Sequence, residues 1–166
     1  MKTFAFCPLC AARFKTKVIG GTKRLYCPNC GYVFYRNATP AVSALVLHEH
    51  KILLVRRAVF PRKGWWDVPG GFVELREDPV HAMKREFKEE LGVDAKVERL
   101  LGIFIDTYYV EVGPPSKVLN IYYSVSCRNK RFTPADDISK ARWFPLSSLP
   151  ARIAFKHIHR AIRKWA

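Results

Sequence analysis

Gly70-Gly71-Phe72-Val73-Glu74-Leu75-Arg76-Glu77-Asp78-Pro79-Val80-His81-Ala82-Met83-Lys84-Arg85-Glu86-Phe87-Lys88-Glu89-Glu90-Leu91-Gly92-Val93 is the stretch on which the reading of this chain turns. Asp78 is a good helix N-cap, Pro79 suits the first helical position, and Gly92 can close the far end, so a helix over 79–91 is predicted. At about 100° per residue, Val80, Met83, Phe87 and Leu91 share a face that can pack on a core. Glu86, Glu89 and Glu90 gather on a neighbouring face. Glu89 and Glu90 fall in the last turn, where the helix dipole is already negative. Carboxylates crowded there repel one another unless a cation sits among them, and hard oxygen donors favour Mg²⁺ or Mn²⁺ over zinc. On the helix alone, the alternative is a solvated acidic face braced by Lys84, Arg85 and Lys88.

Working outward, the apolar run 41–47 and the run 51–55 read as two strands joined by the polar turn His48-Glu49-His50. Gly64, Pro69, Gly70 and Gly71 punctuate a loop. Further strands are expected at 100–105 and 118–125, with a mobile Gly113-Pro114-Pro115-Ser116 tip between them. A last helix is expected over about 151–165, burying Ile153, Phe155, Ile158, Ile162 and Trp165. Strands and helices mix in an α/β order. Arg57, ending the second strand, is either a phosphate-gripping side chain or a solvated strand end.

Upstream of all this, Cys7-Pro8-Leu9-Cys10 and Cys27-Pro28-Asn29-Cys30-Gly31 place two C-x-x-C knuckles around a hairpin-sized gap. That spacing is the pattern of a four-cysteine zinc site, with Gly31 free to take the positive φ such a turn demands. Four thiolates leave no open coordination position, so the zinc is expected to be structural. The cysteine-rich head ends near Asn37, which divides the chain into 1–37, a zinc ribbon, and 38–166. A head this short has little core, and the metal would supply its folding energy. Cys127 reads as a small buried hydrophobe.

The chain of 166 residues is long enough for one main core with a small appendage. Its 13% aromatic content argues against disorder. No apolar stretch approaches the roughly 18 residues of a membrane span, and no apolar signal-peptide core follows Met1, so a soluble cytoplasmic protein is expected. Lys and Arg number 29 against 14 Asp and Glu, a formal charge of +15. The excess lies at the two ends, since residues 1–36 and 140–166 each carry seven basic residues and no acid. Basic ends suit a polyanionic partner or a phosphate-rich substrate, and equally a solvated, charged surface.

Gly71, Glu77 and Arg85-Glu86-Phe87-Lys88-Glu89-Glu90-Leu91-Gly92-Val93 match the Nudix box at every fixed position. The approach from Gly64 to Glu74 and the stretch Arg142-Trp143-Phe144-Pro145-Leu146 resemble the same family. The resemblance covers about 42–149, and the chain resembles a Nudix hydrolase carrying an N-terminal zinc ribbon. It implies an α/β/α sandwich with a mixed sheet. The implied reaction is metal-dependent hydrolysis of the diphosphate bond in a nucleoside diphosphate linked to another moiety. Glu86, Glu89 and Glu90 would hold Mg²⁺ or Mn²⁺, joined by the Gly70 carbonyl, while Glu77 would brace Arg85. Gly70 and Gly71 would let backbone approach metal and phosphate closely. Asp106, Glu111, Asp136, Asp137 or a box glutamate would be the general base.

A ribbon before such a domain resembles the NADH pyrophosphatases, whose Ser-Gln-Pro-Trp-Pro-Phe-Pro signature is replaced here by Leu100-Leu101-Gly102-Ile103-Phe104-Ile105-Asp106-Thr107-Tyr108-Tyr109. The downstream proline of many ADP-ribose hydrolases is Tyr109 here. ADP-ribose or a similar small nucleotide derivative is the leading substrate class. One alternative is an NADH or NAD-cap pyrophosphatase, its RNA held by the ribbon and by Arg152, Lys156, Arg160, Arg163 and Lys164. A non-catalytic nucleotide sensor is another. Tyr108, Tyr109, Tyr122 or Tyr123 could stack on a base. The ribbon could also build a homodimer.

Overall fold

The computed structural model describes residues 4–166, which divide between Asn37 and Ala38 into two compact units. The first unit holds β1 (Lys15–Ile19), β2 (Thr22–Tyr26) and β3 (Val33–Phe34) in one antiparallel sheet. Gly20 and Gly21, both at positive φ, close the β1–β2 hairpin with a turn whose twist matches its strands. Cys7 and Cys27 are the only buried side chains among its described residues. Its aromatic contacts, Phe4 on Phe34 and Phe14 near Tyr32, are too few to make a core of their own.

The second unit runs β4 (Thr39–Leu45), β5 (Leu47–His48), β6 (Lys51–Arg57), β7 (Trp66–Asp67), α1 (Pro79–Leu91), β8 (Lys96–Tyr108), β9 (Ser116–Ser126), β10 (Ile138–Pro145) and α2 (Lys156–Trp165). One sheet has the order β4-β9-β8, with β4 parallel and β8 antiparallel to β9. The other has the order β10-β6-β5, with β7 also on β6. Strand alternation sends neighbouring side chains to opposite sides. Val42, Ala44, Leu53, Val55, Tyr123 and Val125 pack with Met83, Phe87 and Leu91 of α1. Leu45, Ile52, Leu54 and Tyr122 pack with Ile158, Ala161 and Ile162 of α2. The result is the expected mixed β layer between helices.

Four expectations need correction. The apolar run 41–47 is not one strand: β4 ends at Leu45, and Leu47–His48 joins the other sheet through Leu47↔Ile52. The turn there is tighter than expected, with Glu49 and His50 both at positive φ. The last helix begins at Lys156, because 152–154 is drawn into extended pairing with Trp66, which donates to the Arg152 carbonyl and accepts from the Ala154 amide. Ile153 is buried in that segment, while Ile158 and Ile162 carry the helix's buried stripe. The long hairpin strands also outrun their expected spans, since β8 and β9 pair from Lys96↔Ser126 to Tyr108↔Ser116.

Candidate active site

The box loop is stitched to the free edge of β4. The Val42 amide donates to the Gly71 carbonyl and the Ala44 amide to the Pro69 carbonyl, both at 2.8 Å. The seam is so close that a Cβ on Gly70, whose φ is +141°, would collide with the Val42 carbonyl, and one on Gly71 would strike the Glu86 carboxylate. The helix then starts and stops as its caps dictate. Asp78 Oδ1 accepts from the amides of Val80 (2.9 Å) and His81 (3.0 Å), and Gly92, at φ +71°, donates to the Lys88 carbonyl.

Arg85 is the hub of the site. Its Nε and Nη2 donate to the two oxygens of Glu77, each at 3.0 Å, and Nη2 also reaches the Phe72 carbonyl. Nη1 donates to Glu86 Oε1 and Glu89 Oε2, both at 2.9 Å. The bidentate pair holds the Glu77 carboxyl below its ordinary range and the guanidinium firmly charged. Oxygens of Glu86, Glu89 and Asp136 converge within 4.8 Å of one another. Glu90 turns elsewhere: it is 2% exposed, and its Oε2 accepts the Gly70 amide at 3.0 Å. Burial, with Asp137 and other carboxylates nearby, pushes the Glu90 carboxyl well above its ordinary range, and burial also raises Glu86. The crowded oxygens of half-buried Glu86 and exposed Glu89 and Asp136 fit a hard divalent cation.

Beside this cluster lies a cavity of about 90 Å³ bordered by Gly70, Gly71 and Asp137. Phe72, Tyr108 and Phe155 supply aromatic walls, with Tyr108 stacked on Phe155 at 5.8 Å and Phe72 edge-on to Tyr108 at 5.5 Å. Arg57 lines it too, but its guanidinium is committed. It donates to Asp67 Oδ2 (2.9 Å), the Pro61 carbonyl (2.6 Å) and Tyr108 Oη (3.4 Å), and lies over the Phe155 ring. Of the general-base candidates, Asp136 joins the glutamates, Asp106 and Asp137 line the cavity, and Glu111 sits exposed in the β8–β9 connection. Of the tyrosines, Tyr108 lines the cavity, Tyr122 is buried behind it, Tyr123 faces α1 and Tyr109 is exposed. Asp67, Phe72 and His157 carry no site expectation from sequence, and Phe155, expected in the buried stripe of the last helix, lines the cavity instead. Asp67 lay in view, as a lone acid beside two tryptophans in the approach to the box.

In the first unit, the sulfurs of Cys7, Cys10, Cys27 and Cys30 lie within 4.8 Å of one another, with Cys7–Cys30 at 3.6 Å and Cys10–Cys27 at 3.4 Å. The two knuckles repeat one geometry. The Ala11 amide returns to the Cys7 carbonyl as Gly31 does to Cys27, and both residues have positive φ. None of these cysteines is in a disulfide. A tetrahedron with zinc–sulfur bonds of about 2.3 Å has edges of about 3.8 Å, so the four sulfurs fit that metal.

A family model, the NUDIX domain, matches residues 37–166. The chain belongs to the Nudix family. It is 35% identical over 126 residues to an ADP-ribose pyrophosphatase of Methanocaldococcus jannaschii, covering 76% of this chain and 72% of that protein. It is 29% identical over 158 residues to the NAD-capped RNA hydrolase NudC of Stutzerimonas stutzeri, covering 93% of this chain. The chain spans about half, 53%, of that relative's length. Among solved structures, a NUDIX hydrolase from Nitrosomonas europaea superimposes with a TM-score of 0.80 at 25% identity, over 98% of this chain and 90% of that one. The expected Nudix fold, hydrolase class and action on the diphosphate of a nucleotide derivative all stand. No helix among the described residues is long and apolar enough to cross a membrane.

Proposed function

We propose that this Nudix hydrolase cleaves ADP-ribose or a closely similar ADP derivative at its diphosphate. The carrying observation is the convergence of Glu86, Glu89 and Asp136 beside a cavity with aromatic walls. Glu86, Glu89 and Asp136 would hold Mg²⁺ or Mn²⁺, with Glu90 and the Gly70 carbonyl close by, and the ion would neutralise the diphosphate and acidify an attacking water. Arg85 aligns Glu86 and Glu89, and Glu77 fixes Arg85 in turn. Asp137, at the cavity border, is the residue best placed to accept the water's proton. Gly71 keeps the Glu86 carboxylate unobstructed. Zn²⁺ would sit among Cys7, Cys10, Cys27 and Cys30 as a structural ion.

A second reading, hydrolysis of a dinucleotide or of an NAD-type cap on RNA, has its own support. The NudC match runs over 93% of the chain, against 76% for the ADP-ribose pyrophosphatase. The exposed basic side chains of Lys156, Arg160, Arg163 and Lys164 on α2 would then meet the phosphate backbone. The test is hydrolysis of ADP-ribose, NADH and NAD-capped RNA by the full chain with Mg²⁺ or Mn²⁺, beside Glu89→Gln. Turnover of ADP-ribose at least tenfold above the others, lost in the variant, is expected. A preference for capped RNA that falls steeply with salt would favour the second reading.

A further inference from the structure

Of the buried polar side chains that line the cavity, Ser43, Arg57, Asp67, Asn120 and His157, the last carries an imidazole that the hydrolytic chemistry does not use. His157, in the first turn of α2, is 5% exposed and lines the cavity. Its Nδ1 lies 2.7 Å from Tyr122 Oη, a phenol that is fully buried. Phe155 stacks on the imidazole at 5.5 Å and 14°, and the Tyr122 ring meets it at 67°, so the ring is clamped on two sides. Burial drives the imidazole down to about 4, which leaves it neutral with a single ring proton. A phenol O–H is the stronger acid of the two, which favours the arrangement in which Tyr122 donates to Nδ1 and the ring proton is on Nε2. Nε2 has no hydrogen-bond partner among the described residues. Asp106, whose negative charge acts on His157, lines the same cavity and favours an N–H turned into it.

The lining also says which part of a substrate belongs there. Asp67, Asp106 and Asp137 contribute carboxylates, and Arg57 is the only Lys or Arg among the described lining residues. Its charge is already spent on Asp67. A phosphate entering would meet net negative charge, whereas a flat uncharged heterocycle or a sugar meets Phe72, Tyr108 and Phe155. The diphosphate is therefore left at Glu86 and Glu89, and the uncharged end of the nucleotide faces His157.

We propose that His157 is a specificity residue, whose Nε2–H donates a hydrogen bond to an uncharged acceptor on the nucleoside end of the substrate, a purine ring nitrogen or a ribose oxygen. This assignment rests on the ADP-ribose reading and names the group that recognises the nucleoside. The test compares wild type, His157→Asn and His157→Gln in the full chain with Mg²⁺. The Asn amide can still accept from Tyr122 but leaves the Nε2 position empty, whereas the Gln amide reaches that position with a donor. His157→Asn is expected to raise KM for ADP-ribose about tenfold with kcat within about twofold, and His157→Gln to stay within about threefold of wild type. Substrate analogues then locate the acceptor, as 1-, 3- and 7-deaza-adenine forms probe the base and 2′- and 3′-deoxy forms probe the ribose. The analogue lacking the acceptor should weaken wild type about tenfold and leave His157→Asn unaffected. If the two variants, with melting temperatures like wild type, have equal KM, or if every analogue affects wild type and His157→Asn alike, the assignment is wrong. A wild type that turns over no ADP derivative would instead refute the functional reading beneath it.

Discussion

Two groups of metal-ready side chains lie among the described residues, each with its donor atoms inside 4.8 Å, and they are built in opposite ways. The four sulfurs stand on two tight knuckles in a unit where Cys7 and Cys27 are the only buried side chains among the described residues. There the donors are the core, and a soft, closed, four-coordinate ion would substitute for missing apolar burial. The carboxylates of Glu86 and Glu89 are carried by α1, whose other face is locked against β strands through Met83, Phe87 and Leu91, and Asp136 joins them from the segment before β10. There the fold exists without the ion, and it holds Glu86 and Glu90 in a crowding that the carboxylates alone would not sustain. The lesson is that one cluster makes its fold, while the other is made by its fold.

Removing metal should separate them most sharply. A chelator is expected to abolish amide protection in β1–β3 while the residues of 38–166 keep theirs, since structural zinc contributes about 10–16 kcal/mol in such small units. Persistent protection of β1–β3 in hydrogen exchange would break the contrast. The converse perturbation is Phe87→Ala, fully buried under α1. It should cost the second unit about 3–5 kcal/mol in denaturant unfolding and leave zinc content unchanged.

A pH series sharpens the comparison within the second unit. His157 is held neutral down to about 4, so between pH 6.5 and 4 the unfolded chain binds the extra proton. Stability is therefore full above pH 6.5 and falls as pH drops through that window, by up to about 3 kcal/mol. His157→Gln should flatten that slope in melting curves, and an identical slope in both proteins would contradict it. The smallest expected effect is in the first unit. Ala11 occupies the left-handed region that Gly31 occupies in the other knuckle, so Ala11→Gly should stabilise the unit by about 1 kcal/mol, read as a higher chelator midpoint.

What was legible in sequence was what is encoded locally. Asp78, Pro79 and Gly92 fix the ends of α1 through contacts within a few residues, and the cysteine spacing carries its own geometry. Illegible were features settled by distant partners. The apolar run divides near Val46 because β4 finds β9 while Leu47–His48 finds β6, and nothing in the run marks that choice. The last helix starts late because Trp66, far off in sequence, claims the backbone before it. Arg57 stood out as a strand-end cation, but its engagement with Asp67 and Pro61 depends on how the 58–66 loop folds back. Glu90 looked equivalent to Glu86 and Glu89 on a helical wheel, and the Gly70 amide drew it apart. His157 gave no signal at all, because its meaning comes from Tyr122 and Phe155 across the fold.

The most direct test of the account is a Mn²⁺ titration of the zinc-loaded full chain, followed by electron paramagnetic resonance, in wild type, Glu89→Gln and Asp136→Asn. The account predicts that each substitution weakens Mn²⁺ binding at least about tenfold, that hydrolysis falls in step with Mn²⁺ occupancy, and that zinc content stays constant. Mn²⁺ binding as tight in both variants as in wild type would show that the carboxylates beside the cavity are not the catalytic metal site.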